Sequence, residues 1–358
     1  MLRQNTPTIP VLDLAKYHTN RPAFVEELRE SCHLVGFFLI RHNFQDVADK
    51  LLEESRKFFA RSREDKQQIS YLNNPSFRGY MPLGVENTAG KVDHREQIEW
   101  AAEYPRGGKQ WPLYERLKST QNPWPDMMQP ELRVATLDFI EKTCHVADCI
   151  RDALCLALEL DEDQKQSLLS KFAANGAENE LAHWVVKLIS YPPGKDGECH
   201  QGVGAHTDTN FLTLVLQDSV GGLEAFSGGQ WVGVPTEHGS SVLVCNLGEQ
   251  AQIFSRGYLL ATPHRVLANK SEISRVSVPL FYNPRLSESI DPLSTTAVES
   301  LKWERPQDYK QWVRNNNSML RSVGENTFKS LARSHPEVFS KHHHDLEISD
   351  DGHIRKRV

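Results

Sequence analysis

The chain has 358 residues, 39% hydrophobic and 9% aromatic, with 41 basic against 47 acidic side chains and a formal charge of −6 with histidine neutral. That length allows a large core, and a mildly acidic chain without a basic block argues against nucleic acid as a partner. The opening MLRQNTPTIPVLDL has no charged stem followed by an apolar run, and no stretch reaches the length of a membrane span, so neither a secretory signal nor a membrane anchor is expected.

Six cysteines (32, 144, 149, 155, 199 and 245) form no CxxC pair and no regular framework. A reducing, cytoplasmic compartment is expected. Cys144, Cys149 and Cys155 share one helical-looking segment and read as small buried thiols.

In chain order, TIPVLDL (8–14) alternates like a short strand. PAFVEELRESCHLV (22–35) has apolar residues at helical intervals and acidic residues near its start. GFFLI (36–40) reads as a buried strand and 44–61 as a helix. From Asn73 to Trp124 the chain is rich in Gly, Pro and aromatics and reads as an irregular covering of loops and short strands. A long amphipathic helix is expected over about 129–160 and another over 162–173. From His183 the texture changes to short β-rich runs punctuated by Gly and Pro: HWVVKLISY, FLTLVLQD, GLEAF, QWVGVP, SVLVCNLG, RVLAN and RVSVPLFY. Their spacing predicts an antiparallel sandwich or barrel. Residues 305–335 return to helix, and 341-KHHHDLEISDDGHIRKRV-358 reads as a loose polar tail.

The stretch 204-GAHTDTN-210 carries the chemistry. In a strand, residues i and i+2 project to one side, so His206 and Asp208 address one point in space. The third donor is expected from His264 in 262-TPHRVLAN-269. Two imidazoles and one carboxylate on one face of a metal leave the opposite positions open, which suits Fe(II) that binds a cosubstrate and O2. Zn(II) accepts similar donors, and the sequence does not separate the two. His183, His200 and His238 also lie in or near the β region, but only His206 and Asp208 have a rigid spacing.

In 274-SRVSVPLFYNP-284, Arg275 and Ser277 again stand two apart on a strand, which a hairpin would bring beside His264. A guanidinium facing inward is costly without an anion, and with a neighbouring hydroxyl it suits gripping a carboxylate. Tyr191 in 188-LISYPPG-194 offers a phenolic donor. An internal salt bridge for Arg275 and simple packing for Tyr191 are the alternatives.

This combination resembles the iron(II)/2-oxoglutarate-dependent oxygenases, in the branch that includes isopenicillin N synthase. The matching pieces are H-x-D at 206–208, His264 followed by Arg-Val, R-x-S at 275–277, GFFLIRHN (36–43), RGY (78–80), NPWP (122–125), GGLEAF (221–226), QWVGVP (230–235) and NLGEQAQIFSRG (246–257), in family order over roughly 8–290. Two positions depart from the family pattern: Ile189 stands where Asn is common, and Gly248-Glu249 where Gly-Asp is usual.

The resemblance implies a mainly β core with α, a double-stranded β-helix (jelly roll) flanked by N- and C-terminal helices. One continuous unit is expected, with an N-terminal α/β region (1–125), a helical support (126–180), the jelly-roll core (181–290) and a C-terminal helical cover with its tail (291–358). Carried over by position, His206, Asp208 and His264 hold Fe(II), and Arg275 and Ser277, assisted by Tyr191, bind the distal carboxylate of 2-oxoglutarate. O2 then drives oxidative decarboxylation to succinate and CO2 coupled to oxidation of a substrate C–H bond.

For the substrate, 79-GYMPLGVENTAGKVD-93 is similar to the corresponding region of bacterial ethylene-forming enzyme, where the equivalent of Glu86 contacts an amino-acid substrate. Glu86 is therefore a candidate substrate contact. Lys187, on one strand face with Ile189 and Tyr191, and Phe281, on the inward parity of Arg275, are two more; a salt bridge and core packing are their ordinary alternatives. The expected activity is hydroxylation, desaturation or oxidative cyclisation of a small carboxylate or amino-acid-derived metabolite; the sequence leaves the oligomeric state open and is compatible with a monomer. The competing expectations are an iron oxidase that does not use 2-oxoglutarate and a noncatalytic jelly-roll binding protein.

Overall fold

The computed structural model describes residues 8–88, 90–104, 109, 111–174, 180–194, 201–294, 299, 301, 319–349 and 353–357. Cys199, His200 and the part of the expected 305–335 helix before residue 319 lie outside them.

The chain opens with β1 (Val11–Asp13), α1 (Ala15–Thr19) and α2 (Arg21–Glu30), then a π-helical turn over 31–35 leads into β2 (Phe37–Arg41). α2 does not begin on acidic side chains: the Asn20 side chain accepts from the Ala23 amide, with Pro22 in the first turn. Gly36 ends the π turn at φ +67°. A Cβ there would lie 2.3 Å from the Leu260 carbonyl oxygen, so only glycine lets β2 start against the segment that leads to His264. α3 (Gln45–Phe59) and α4 (Arg63–Gln67) follow.

The segment expected to be an irregular cover of loops and short strands does hold short strands, and two of them extend the main sheet. It contains β3 (Gly79–Met81), the ribbon β4 (Asn87–Thr88) with β5 (Lys91–Val92), and β6 (Glu96–Ala101). β6 is a two-faced strand: Ile98 and Trp100 enter the core under the helices, while Gln97 and Glu99 are buried on the other parity.

α5 (Pro130–Ala157) and α6 (Glu162–Ser170) match the two predicted helices, α6 opening on an Asp161/Gln164 capping box. The β-rich stretch yields β7 (His183–Tyr191), β8 (Val203–His206), β9 (Leu212–Gln217), β10 (Leu223–Ser227), β11 (Gln230–Gly233), β12 (Val242–Leu247), β13 (His264–Val266) and β14 (Arg275–Asn283), with α7 (Glu249–Phe254) after β12.

The strands form an eight-stranded sheet in the order β1-β2-β12-β9-β14-β7-β6-β3, and a four-stranded sheet in the order β11-β10-β13-β8. Only the β1–β2 pair of these is parallel. This is the double-stranded β-helix. On β9 and β14, alternate residues Leu214, Leu216, Val278 and Leu280 join Phe24, Phe58 and Phe139 from α2, α3 and α5 in an outer core. A separate inner cluster, including Phe37, Ile189, Tyr191, Val203 and Val266, lies between the sheets.

The C-terminus is a packed element and not a loose tail. After α8 (Val323–Ser334) and α9 (Pro336–His342), β15 (Leu346–Ile348) pairs with β16 (Ile354–Lys356). Leu346 is fully buried, and His343 stacks on Phe77 at 5.3 Å with its Nε2 2.8 Å from the Pro75 carbonyl. Arg116 holds Asp345 through two bonds of 2.9 and 2.6 Å. His342 meets the Leu72 carbonyl. The three adjacent histidines are thus no free metal-binding tract: two of them are used in docking.

Candidate active site

Strand register assembles the pocket. On the inner face of the large sheet, Thr213 stands opposite Asn246 and Phe281, Ser277 opposite Gln217 and Ile189, Arg275 opposite Tyr191, and Lys187 opposite Glu99. With β8 and β13 across from them, these residues, Gln217 excepted, line a cavity of about 360 Å³. That is the size of a small-molecule site.

At one end, β13 pairs with β8 so that His264 lies directly opposite His206. The Nε2 atoms of both rings stand 3.7 Å from Asp208 Oδ1. Each Nδ1 faces a backbone carbonyl, Gly204 for His206 (2.8 Å) and Thr262 for His264 (3.0 Å). That fixes the tautomer with the proton on Nδ1 and the Nε2 lone pair directed at the cluster centre. Burial, with His264 beside it, pushes the His206 imidazole down to about 4. Burial raises the Asp208 carboxyl, but both imidazoles and hydrogen bonds from Thr213 (2.6 Å) and Asn246 (2.7 Å) outweigh it, leaving a carboxylate below its ordinary range.

The spacing argument for His206 and Asp208 needs correction. β8 ends at His206, and Asp208 lies in the turn beyond it. The two converge because this turn is pinned: the Glu249 amide donates to the Asp208 carbonyl at 2.8 Å, and Gly248 lets α7 start so close that a Cβ would lie 1.9 Å from the Asn210 carbonyl oxygen.

At the other end, Arg275 is 2% exposed. Its Nη1 and Nη2 donate to Ser277 Oγ and Gln217 Oε1, each at 3.2 Å, its Nε has no partner, and the guanidinium lies 5.0 Å from the Tyr191 ring centroid. No carboxylate among the described residues pairs with it. The predicted hairpin is absent: β13 belongs to the small sheet and β14 to the large one, so His264 and Arg275 face the same cavity from opposite walls.

Glu86, Lys187 and Phe281 also line this cavity. Glu86 is buried, 3.1 Å from Arg95 Nη2 and 3.0 Å from His335 Nε2. Burial alone raises its carboxyl, but His335, with Lys187 and Arg95 behind it, holds it well below the carboxylate range. Lys187 pairs with Glu99 at 2.9 Å and sits 5.9 Å from the Phe281 ring centroid. Burial lowers its ammonium, and Glu99 and Glu86 more than reverse that.

Of the other histidines, His183 is buried against the Tyr104 hydroxyl at 3.0 Å and stands apart from the cluster, and His238 precedes a 3-10 turn on the far side of β11. Sequence reasoning missed Thr213, Asn246 and Gln217, whose inward parity on β9 and β12 was readable, and Arg95 and Glu99, hidden in the segment read as loops and short strands. It also missed Thr327, Ser330 and Leu331 of α8, which close the pocket from the C-terminal side.

A family model described as the N-terminal region of non-haem dioxygenase in morphine synthesis matches residues 9–127, and that of the 2OG-Fe(II) oxygenase superfamily matches residues 181–284. The 2-oxoglutarate-dependent dioxygenase frbJ of Dothideomycetidae sp. (strain 11243) is 30% identical over 353 residues, covering 93% of this chain and 91% of its own. Homoarginine-6-hydroxylase 2-ODD-C23 of Glycine max is 31% identical over 292 residues, covering 76% and 80%. A full-length Neurospora crassa protein, solved in complex with alpha-KG, shares the fold with a TM-score of 0.69 at 20% identity over 92% of this chain and 98% of that one. The chain therefore belongs to the 2OG-Fe(II) oxygenase superfamily and is a 2-oxoglutarate-dependent dioxygenase that uses Fe(II), 2-oxoglutarate and O2.

Proposed function

We propose that His206, Asp208 and His264 hold the Fe(II), that Arg275 with Ser277 and Tyr191 receives the distal carboxylate of 2-oxoglutarate, and that a small amino-acid-derived metabolite is oxidised against Glu86, Lys187 and Phe281. The donor set fits the ion: two neutral imidazoles with free Nε2 lone pairs share the vicinity of one carboxylate oxygen, and Asp208 Oδ2 is already occupied by its two donors. The observation that carries the cosubstrate assignment is the buried guanidinium of Arg275, which among the described residues meets only neutral acceptors. Burying such a charge costs several kcal/mol, and paired hydrogen bonds to a carboxylate offset that cost.

Bound together, Fe(II), 2-oxoglutarate and O2 supply the oxidising power, one oxygen atom entering succinate as CO2 leaves and the other oxidising a substrate C–H bond. The chain's own part is geometric. Thr213 and Asn246 aim Asp208, the carbonyls of Gly204 and Thr262 aim the imidazoles, and the inner apolar cluster keeps water from the reacting end. A noncatalytic binding role leaves such an aimed donor set without purpose.

For the substrate, the supporting observation is the wall on which Glu86, Arg95, Glu99 and Lys187 stand together. Charges of both signs on one wall suit a ligand that carries both an ammonium or guanidinium and a carboxylate. The name of the Glycine max relative points the same way, since it acts on homoarginine. The reduced thiols of Cys32, Cys144, Cys149, Cys155 and Cys245 support a reducing, cytoplasm-like compartment.

Screening amino acids and other small carboxylates for stimulated succinate release tests this reading. A zwitterionic compound is expected to stimulate release in step with its own oxidation. Stimulation by uncharged compounds alone would refute the substrate class, and substrate oxidation without succinate would refute the role of Arg275.

A further inference from the structure

We propose that His18, His145 and Cys149 form a second metal site, suited to a borderline ion such as Zn(II), on the outer helical layer. His145 and Cys149 lie one turn apart on α5 and share a face, and α1 carries His18 to the same point. One ligand atom from each lies within 4.8 Å of the others, with Cys149 Sγ 3.9 Å from His145 Nε2. Both imidazoles are exposed, whereas Cys149 is 4% exposed. An ion entering from solvent therefore meets two imidazoles with a thiol at the floor.

Charges of both signs surround the site, Asp148 and Asp152 against Arg151 and Arg21. Burial first, then Asp152 and Asp148, hold the Cys149 thiol up at about 11, and the charge of Arg151 is taken by those same carboxylates at 2.9 and 2.7 Å. The free protein thus carries a thiol. On binding, the S–H bond breaks, an S–metal bond forms and one proton passes to solvent.

The donors also separate this site from the pocket. One thiolate and two imidazoles are a zinc-type set, whereas the two imidazoles and carboxylate of the pocket suit Fe(II), accept Zn(II) as well, and include no thiolate. α5 packs on the outer face of the large sheet, so an ion here ties α1 to α5 on the side away from the cavity.

Co(II) is the probe for the full-length, chelator-stripped protein, because a thiolate ligand gives it a near-ultraviolet charge-transfer band that imidazole and carboxylate ligands do not. The band is expected in wild type and in His206→Ala, and absent in Cys149→Ser. His18→Asn, on an exposed position, removes a ligand and is expected to weaken Co(II) binding at this band by about a hundredfold or more, since even partners that only support a ligand contribute about 10- to 100-fold. With the pocket triad disabled by His206→Ala, Zn(II) is expected to raise the melting temperature of that variant and not of the His206→Ala/Cys149→Ser double variant. A wild type without the band, a band that survives Cys149→Ser, or a His18→Asn variant of unchanged affinity overturns the proposal. Because His18→Asn leaves the core intact, it decides the matter even if Cys149→Ser folds poorly.

Discussion

Arg275→Lys separates charge from shape at the inner end of the pocket. The native guanidinium is 2% exposed and, among the described residues, bonded only to Ser277 Oγ and Gln217 Oε1, so its remaining donors are available to an incoming carboxylate. A lysine ammonium keeps the charge but loses the planar fork. The loss of one charge-assisted hydrogen bond is about 1.5–3 kcal/mol, which raises the apparent KM for 2-oxoglutarate roughly 10- to 150-fold. The assay is succinate release against 2-oxoglutarate concentration at saturating Fe(II) and substrate. Melting without 2-oxoglutarate supplies a second readout: no ion pair is broken, so the variant is expected to melt close to wild type. An unchanged KM would refute the anion-site reasoning, and so would a large fall in melting temperature that accounts for the lost activity.

Asn246→Ala removes one of the two donors on Asp208 Oδ2 and is expected to weaken Fe(II) binding by about 10- to 100-fold, read by anaerobic iron titration, while Arg275-dependent 2-oxoglutarate saturation is retained. Glu86→Gln keeps the size of the side chain but removes the charge facing Arg95 and His335; substrate-stimulated turnover is expected to fall while substrate-free decay of 2-oxoglutarate persists, and loss of both would point to folding damage. His183 is held neutral in the fold, its imidazole pushed down by burial to about 3 from 6.5. The unfolded chain takes up that proton first, so its contribution is present above pH 6.5 and lost as pH falls towards 3, at no more than about 1.4 kcal/mol per pH unit. Urea melts from pH 6.5 to 5 are expected to show a shallower pH slope for His183→Gln than for wild type.

Much of the site was legible because the large sheet obeys strict alternation. The parity of 275, 277 and 281 on β14 and of 187 and 191 on β7 puts each side chain on the inner face from the strand pattern alone. Connections were less readable. His206 and Asp208 converge through a pinned turn and not through strand periodicity, and β13 and β14 part into different sheets. Both outcomes depend on contacts far away in sequence, Asn246 and Gly248 in the first case. That β6 belongs to the main sheet was hidden because Gln97 and Glu99 look solvent-seeking, yet both are buried, Gln97 against Met81 Sδ at 3.0 Å and Glu99 against Lys187 at 2.9 Å. The C-terminal ribbon escaped because few apolar residues anchor it, and its docking rests on Arg116–Asp345 and the buried His343.

The central claim, that His206, Asp208 and His264 bind the catalytic iron, is tested most directly by a crystal structure of the protein loaded anaerobically with Fe(II) and 2-oxoglutarate, the iron being located by its anomalous scattering. The account predicts iron bonded to both Nε2 atoms and Asp208 Oδ1, with the far carboxylate of 2-oxoglutarate on Arg275. Iron seated elsewhere, or a cosubstrate whose carboxylate avoids Arg275, would contradict it.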